Sequence, residues 1–184
     1  MDNKNDDIKF YTIILIFEFK VNIMIELRKD YILDRWSYIA ADRGKRPKQF
    51  ENDIKNDKEN VCYFCPGNEN LTPPEIGRLK DGDNWKIRWF PNKFPITDED
   101  SSENITVSDK YYTKGGAFGY HEIIAENTYH NKQLADLEVN ELTEIIKVYA
   151  LRIKELSRRK NIAYVQLFKN SGEEAGTSLA HTHT

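Results

Sequence analysis

The sequence predicts an α+β fold in which an antiparallel sheet carries one long helix on a face. Three observations predict it. Leu137, Leu142, Ile145, Ile146, Tyr149, Ile153 and Leu156 recur at intervals of three and four, with charges between them, as in an amphipathic helix. Strand-like segments flank that helix, Tyr120–Glu126 before it and Ile162–Phe168 after it. Further short apolar runs upstream, separated by turn residues, read as antiparallel strands.

Met1 to Ile23 opens with acidic and Asn-rich residues, followed by the run Tyr11–Phe17. That run is too short to span a bilayer, and an acidic front without a small-residue cleavage site makes a poor signal peptide. Residues 1–23 are read as an upstream extension without function, with an extra edge strand as the alternative, and residues 24–184 as the domain. Between Glu26 and Ala40, two strand-like pieces flank a turn at Asp34-Arg35. Asp42-Arg43-Gly44-Lys45-Arg46-Pro47 sets three cations in four residues beside a glycine, able to contact phosphate or simply to form a solvated loop. Glu51–Asn60 reads as an exposed linker.

Trp85–Phe90 alternates as a strand and ends at the rigid turn Pro91–Pro95. Thr97–Tyr112 is acidic and irregular. Lys114–Gly119 reads as a flexible glycine-rich loop, without the GK[ST] ending of a phosphate-binding loop. Asp136 is the N-cap expected for the helix, and Arg158, Arg159 and Lys160 follow at its C-terminal end, where the helix dipole favours cations.

Composition narrows the function classes. A chain of 184 residues can bury a real core, and a net charge of −3 provides no global basic field for nucleic acid. Nothing marks a membrane or secreted protein, so a cytoplasmic location is expected. The two cysteines, Cys62 and Cys65, form a single CxxC, which does not make a disulfide framework. CxxC closed by Pro66-Gly67 lets two thiolates converge on one tetrahedral ion, completed by histidine or carboxylate; a redox pair is the competing reading. Four histidines are available: His121, His130, His181 and His183. His121 reads as an internal polar residue of its strand, with ligand or substrate contact as the other reading. The last two stand at alternate positions after the small-residue stretch Asn170–Ala180, so in an extended segment both imidazoles face one way.

Arg43-Gly44-Lys45-Arg46-Pro47, Cys62-x-x-Cys65, Asn92-Lys93-Phe94, His130 before the long helix, and Asn170 through His183 occur in an order that resembles the galactose-1-phosphate uridylyltransferase family of the histidine-triad superfamily. The resemblance runs from about Glu26 to Thr184 and corresponds to the family's N-terminal half. It implies a histidine-triad-like antiparallel sheet and a structural zinc held by Cys62, Cys65, His130 and His181. It also implies His183 as nucleophile, with nucleotide contacts from Arg43, Arg46, Asn92, Asn170, Gly172 and Ser178. Lys93 stands where some members carry an acid and receives no role.

The reaction so implied is UDP-glucose plus galactose 1-phosphate giving UDP-galactose plus glucose 1-phosphate. It is a ping-pong exchange through a uridylyl-histidine. The alternatives are an ADP-sugar phosphorylase or adenylyltransferase of the same superfamily, and a zinc-binding half-domain without turnover. Family members continue past HxHx with a glutamine and a second, similar half, so the sequence reads as a fragment of a protein expected to be a homodimer. Its expected partners are UDP-glucose and a hexose 1-phosphate, with neither nucleic acid nor membrane.

Overall fold

A computed structural model describes residues 25–46, 61–102, 104–107 and 111–184. The predicted extension (residues 1–23), Pro47 of the basic turn and the predicted linker (residues 51–60) lie outside the described residues.

Among the described residues, two antiparallel sheets and one α-helix make up the fold. Strands β1 (Glu26–Lys29) and β2 (Trp36–Ile39) pair around the predicted turn. With β5 (Ile105–Val107) and β6 (Thr113–Gly116) they form a sheet of order β2-β1-β6-β5. The second sheet, of order β3-β4-β7, combines β3 (Gly77–Asp81), β4 (Asn84–Pro91) and β7 (Glu122–Ala125). The terminal segment adds to it: Ala125 bridges His183 antiparallel, with Ile124 and Thr184 exchanging backbone bonds of 2.8 and 3.1 Å. Helix α1 (Val139–Leu156) packs on this second sheet.

The second sheet is buried on both faces. On one side Ile87, Trp89 and Ile124 meet Leu137, Ile145, Val148 and Tyr149 at the base of the helix. On the other, Phe90 and Ala125 meet Cys62 and Phe64 of the cysteine knuckle and Leu179 of the terminal loop. Arg88, a polar position of the β4 alternation, is therefore enclosed. It donates to Thr72 Oγ1 (3.1 Å) and to the Tyr63 carbonyl (3.3 Å), and its guanidinium lies over the Phe90 ring.

Four expectations need correction. Ile162–Phe168 carries no strand ladder; the segment that pairs with the free edge of β7 is residues 182–184 instead. Lys114–Gly119 is not simply a loop: Gly115 and Gly116 belong to β6, an inner strand of its sheet. A Cβ on Gly116 would lie 2.0 Å from the Ser102 carbonyl oxygen, so the glycine is there for close backbone approach. Strand β5 falls within the stretch read as irregular. Asp136 is not an N-cap: it ends a short 3-10 turn, Leu134–Asp136, capped by Gln133, whose N–H donates to the Asp136 carboxylate, while α1 itself starts at a Glu138–Glu141 capping box.

The helix also rotates its apolar stripe slightly from the predicted one. Ile145 is 1% exposed and Ile146 60%, while Val148 and Arg152 complete the buried face. Arg152 is tolerated there because its guanidinium makes a forked pair with Glu122, at 2.9 Å on both nitrogens. Truncating the two isoleucines separates the faces. Ile145→Ala should cost about 2–5 kcal/mol in urea unfolding; Ile146→Ala should stay within about 0.5 kcal/mol. Equal losses would contradict this packing.

Candidate metal centre and adjoining cavity

The cysteine knuckle folds on its own backbone bonds. The Cys65 N–H donates to the Cys62 carbonyl (3.3 Å), which also accepts from the Asn68 side chain (2.9 Å). Gly67 follows at φ +90°, in the left-handed region open to glycine. Both sulfurs thus face the start of the terminal strand. Cys62 Sγ stands 3.6 Å from His181 Nδ1, and Cys65 Sγ stands 3.5 Å from the same nitrogen and 3.4 Å from His130 Nδ1.

All four donor atoms lie within 4.8 Å of one another. Two thiolates and two imidazoles in that arrangement could hold a divalent metal ion in a tetrahedral shell. His181 is fully buried, and its Nε2–H donates to the Asn127 carbonyl (2.8 Å), which leaves Nδ1 as the free lone pair facing the sulfurs. Burial holds this imidazole near pKa 4, so it is neutral at pH 7, as a ligand must be. Burial, reinforced by Cys62, pushes the Cys65 thiol up to about 11. That is the opposite of the low value that activates a redox CxxC.

Two residues on, His183 has a different environment. Its Nδ1 lies 2.8 Å from the His181 carbonyl oxygen, which can only accept, so the proton sits on Nδ1 and Nε2 keeps its lone pair. Burial lowers its pKa below the ordinary histidine value, and the nearby Lys169 and Arg46 charges act in the same direction. The Phe64 ring contacts both imidazoles edge-on, at 6.2 Å from His181 and 5.1 Å from His183. The alternation expected of the extended terminus therefore holds.

The intervening threonines point the other way, onto Glu126. This buried carboxylate accepts from Thr182 Oγ1 (2.6 Å) and Lys169 Nζ (2.6 Å), and also from Thr184 and Tyr149. Burial opposes its ionisation, but these bonds outweigh it and hold the carboxyl below the usual range. Lys169 Nζ also donates to Thr182 Oγ1 and to the His183 carbonyl, at 2.6 and 2.9 Å. None of Glu126, Lys169 and Tyr149 was identified from sequence as part of the site. The one available signal was a pair of opposite charges, Glu126 and Lys169, each at the end of a strand-like apolar run.

His183 lines a cavity of about 480 Å³. Arg43, Arg46, Asn92, Asn170 and Ser178 line the same cavity, five of the six nucleotide-contact positions expected from sequence. Gly172 lines an adjoining cavity of about 270 Å³ instead, which it shares with Asn170 and His183. Its φ of +81° and the +78° of Gly176 let the intervening loop turn, so these glycines serve conformation first. Arg43 is tied to the turn after β4 by a 2.7 Å bond from Nη1 to the Phe94 carbonyl. His121 stands on the wall of the larger cavity, its Nδ1 accepting from the Ile96 N–H (3.0 Å).

Glu126→Gln tests the network. With Lys169 left without its counter-charge, unfolding stability at pH 7 should fall by about 3–5 kcal/mol. The pH dependence has a definite sign. A carboxylate whose folded pKa is lowered contributes stability above its ordinary pKa and loses it as pH falls through the folded value. Urea titrations at successive pH values should show this acid loss in the wild type and a weaker one in the variant.

The chain resembles known proteins over most of its length. The family model "Galactose-1-phosphate uridyl transferase, N-terminal domain" matches residues 16–184. ADP-glucose phosphorylase of Arabidopsis thaliana is 34% identical over 168 residues, covering 86% of this chain and 47% of that protein. Galactose-1-phosphate uridylyltransferase of Haemophilus influenzae is 30% identical over 161 residues, covering 85% and 44%. Among solved structures, an ADP-glucose phosphorylase from Arabidopsis thaliana with bound ADP-glucose aligns with a TM-score of 0.57 at 32% identity, covering 85% of this chain and 46% of that one. The chain thus spans about half the length of the curated relatives it matches. No helix among the described residues is long and apolar enough to cross a membrane. With the cysteine–histidine cluster and the HxH terminus in place, the chain belongs to the galactose-1-phosphate uridyl transferase family, as a match to its N-terminal domain.

Proposed function

We propose that the protein transfers a nucleotidyl group from a nucleoside-diphosphate sugar through a covalent intermediate on His183. The carrying observation is the 2.8 Å contact between His183 Nδ1 and the His181 carbonyl. It fixes the proton on Nδ1 and leaves Nε2 as a neutral nucleophile on a residue that lines the cavity. Attack of Nε2 on the α-phosphorus forms an N–P bond and breaks the bond to the β-phosphate oxygen. The electron pair leaves with the sugar 1-phosphate. A second phosphate acceptor then attacks the nucleotidyl-imidazole and releases His183 neutral again. Arg43 and Arg46 supply positive charge on the cavity wall, suited to a phosphoryl group whose equatorial oxygens carry charge in the transition state.

The first reading of the donor is UDP-glucose, with galactose 1-phosphate as acceptor. The second, an ADP-sugar phosphorylase or adenylyltransferase, is favoured by the 34% identity to an ADP-glucose phosphorylase. Protein expressed from its whole reading frame decides between them by exchange of labelled glucose 1-phosphate into UDP-glucose or ADP-glucose. Exchange with UDP-glucose supports the first reading, and exchange confined to ADP-glucose establishes the second. In either case His183→Asn should lower the rate by roughly 10⁴-fold or more. The acid limb of the first half-reaction should fall below the ordinary histidine value of about 6.5, because burial lowers the His183 pKa. Activity is full above that limb and is lost as Nε2 takes a proton. Exchange undiminished in His183→Asn would overturn the mechanism.

The metal we propose for Cys62, Cys65, His130 and His181 is zinc. Bond lengths of ~2.3 Å to sulfur and ~2.0–2.1 Å to nitrogen place S and N about 3.6 Å apart in a tetrahedral shell. Cys62–His181, Cys65–His130 and Cys65–His181, three of the four sulfur–nitrogen pairs, are separated by 3.4 to 3.6 Å. Bound there, the ion would tie the knuckle to His181 and so restrain the segment that aims His183; no chemistry on substrate is assigned to it. Elemental analysis should find one zinc per chain, and chelation should lower Tm by at least ~5 °C, equivalent to about 2 kcal/mol or more. A metal-free chain with a reversible Cys62–Cys65 disulfide and an unchanged melt would favour the redox reading.

The proposed setting is a homodimeric enzyme of sugar-nucleotide metabolism in the cytoplasm. Similarity to relatives about twice this length supports the enzyme class.

A further inference from the structure

His130 and His181 face the cysteines and His183 is the proposed nucleophile, which leaves His121 without an assigned role. It stands just before β7 on the wall of the cavity that His183 lines. Two backbone donors fix the polarity of this corner. The Ile96 N–H donates to His121 Nδ1 at 3.0 Å. Burial, with the charges of Arg43 and Arg46 beside it, holds the imidazole near pKa 4, so the ring is neutral at pH 7. A neutral imidazole that accepts at Nδ1 carries its proton on Nε2.

Asn92 is fixed in the same way. The Phe94 N–H donates to Asn92 Oδ1 at 2.8 Å, and the Asn92 N–H donates to the His121 carbonyl, also at 2.8 Å. The amide nitrogen is therefore the end turned to the ring, 3.1 Å from His121 Nε2. Two N–H donors converge with no lone pair between them. Reversing the amide would only move the conflict to the Phe94 N–H, and protonating the ring would make it worse. An external acceptor that offers lone pairs to both resolves it.

We infer that His121 is a ligand-binding residue: its Nε2–H and the Asn92 amide together hold a phosphate oxygen of the nucleotide donor. The charge around the corner selects an anion over a neutral carbonyl. Arg43 and Arg46 line the same cavity, and Arg43 is bonded to the Phe94 carbonyl within the very turn that orients Asn92. A neutral histidine adds a donor there without placing a third cation beside two guanidiniums. The inference rests on the nucleotidyl-transfer reading for the identity of the anion.

The test is calorimetric binding of UDP, ADP, pyrophosphate, uridine and adenosine to the full-length wild type, His121→Phe and His121→Gln. His121→Phe should bind whichever nucleoside diphosphate the wild type prefers, and pyrophosphate, about 10- to 100-fold more weakly, the range for a hydrogen bond to a charged group. Affinity for the nucleosides should stay unchanged. His121→Gln, which keeps an acceptor for Ile96 and an N–H for the ligand, should recover most of the loss. Unchanged diphosphate affinity in His121→Phe, or a loss confined to the nucleosides, would overturn the inference while leaving the mechanism at His183 intact. Wild-type protein that binds neither diphosphate would overturn both. A readout independent of any variant is the imidazole ¹⁵N spectrum of the wild type. His121 should be the Nε2–H tautomer, with pyrophosphate shifting its Nε2 resonance; an Nδ1–H tautomer, or no response, would overturn the inference.

Discussion

The geometry of the candidate site depends on one buried carboxylate. Glu126 sits at the end of β7 with no access to water, and a buried charge of that kind persists only if every lone pair is used. Its partners are Thr182 and Thr184, alternate residues of the terminal strand, with Lys169 and Tyr149 closing the shell. Because side chains alternate along an extended segment, anchoring the threonines on one side commits His181 and His183 to the other. A slip of one residue would bury two imidazoles against the carboxylate and turn the threonines to the cysteines. The network thus sets register, which hydrophobic packing alone does weakly in so short a segment.

From that register follows a division between the two histidines. His181 meets the cysteine pair with Nδ1, its Nε2–H used by the Asn127 carbonyl. His183 uses Nδ1–H on the His181 carbonyl and keeps Nε2 free. The same residue type thus presents opposite ring nitrogens at positions two apart, and the backbone carbonyl each ring meets decides which. A metal ion at the cluster would stiffen the arrangement from the knuckle side, as Glu126 does from the sheet side. The second sheet lies between these supports, and its burial on both faces makes it a rigid base for the proposed nucleophile.

Much of this was legible in the sequence, for identifiable reasons. The long helix, β4, β7 and the hairpin of β1 and β2 follow from local periodicity and turn residues. The four residues that meet in the cysteine–histidine cluster, and His183, follow from the ordered motifs that carry the family resemblance. Long-range competition was not legible. Ile162–Phe168 has strand character, yet it is residues 182–184 that pair with β7. Gly115 and Gly116 look like a loop until the approach of the Ser102 backbone is known. Glu126 and Lys169 lie 43 positions apart, and no local pattern says that the two charges meet inside the protein. The polarity of His121 likewise depends on an N–H contributed by Ile96, 25 residues away.

The most direct test of the account is where the nucleotidyl group attaches. The protein is incubated with donor nucleotide sugar alone, denatured in base to preserve phosphoramidates, and the modified histidine is read by mass spectrometry and by ³¹P–¹⁵N coupling. The hydrogen bond at Nδ1 predicts a single adduct, on Nε2 of His183. An adduct on Nδ1 of His183, on another residue, or no adduct in protein that nevertheless turns over would contradict it.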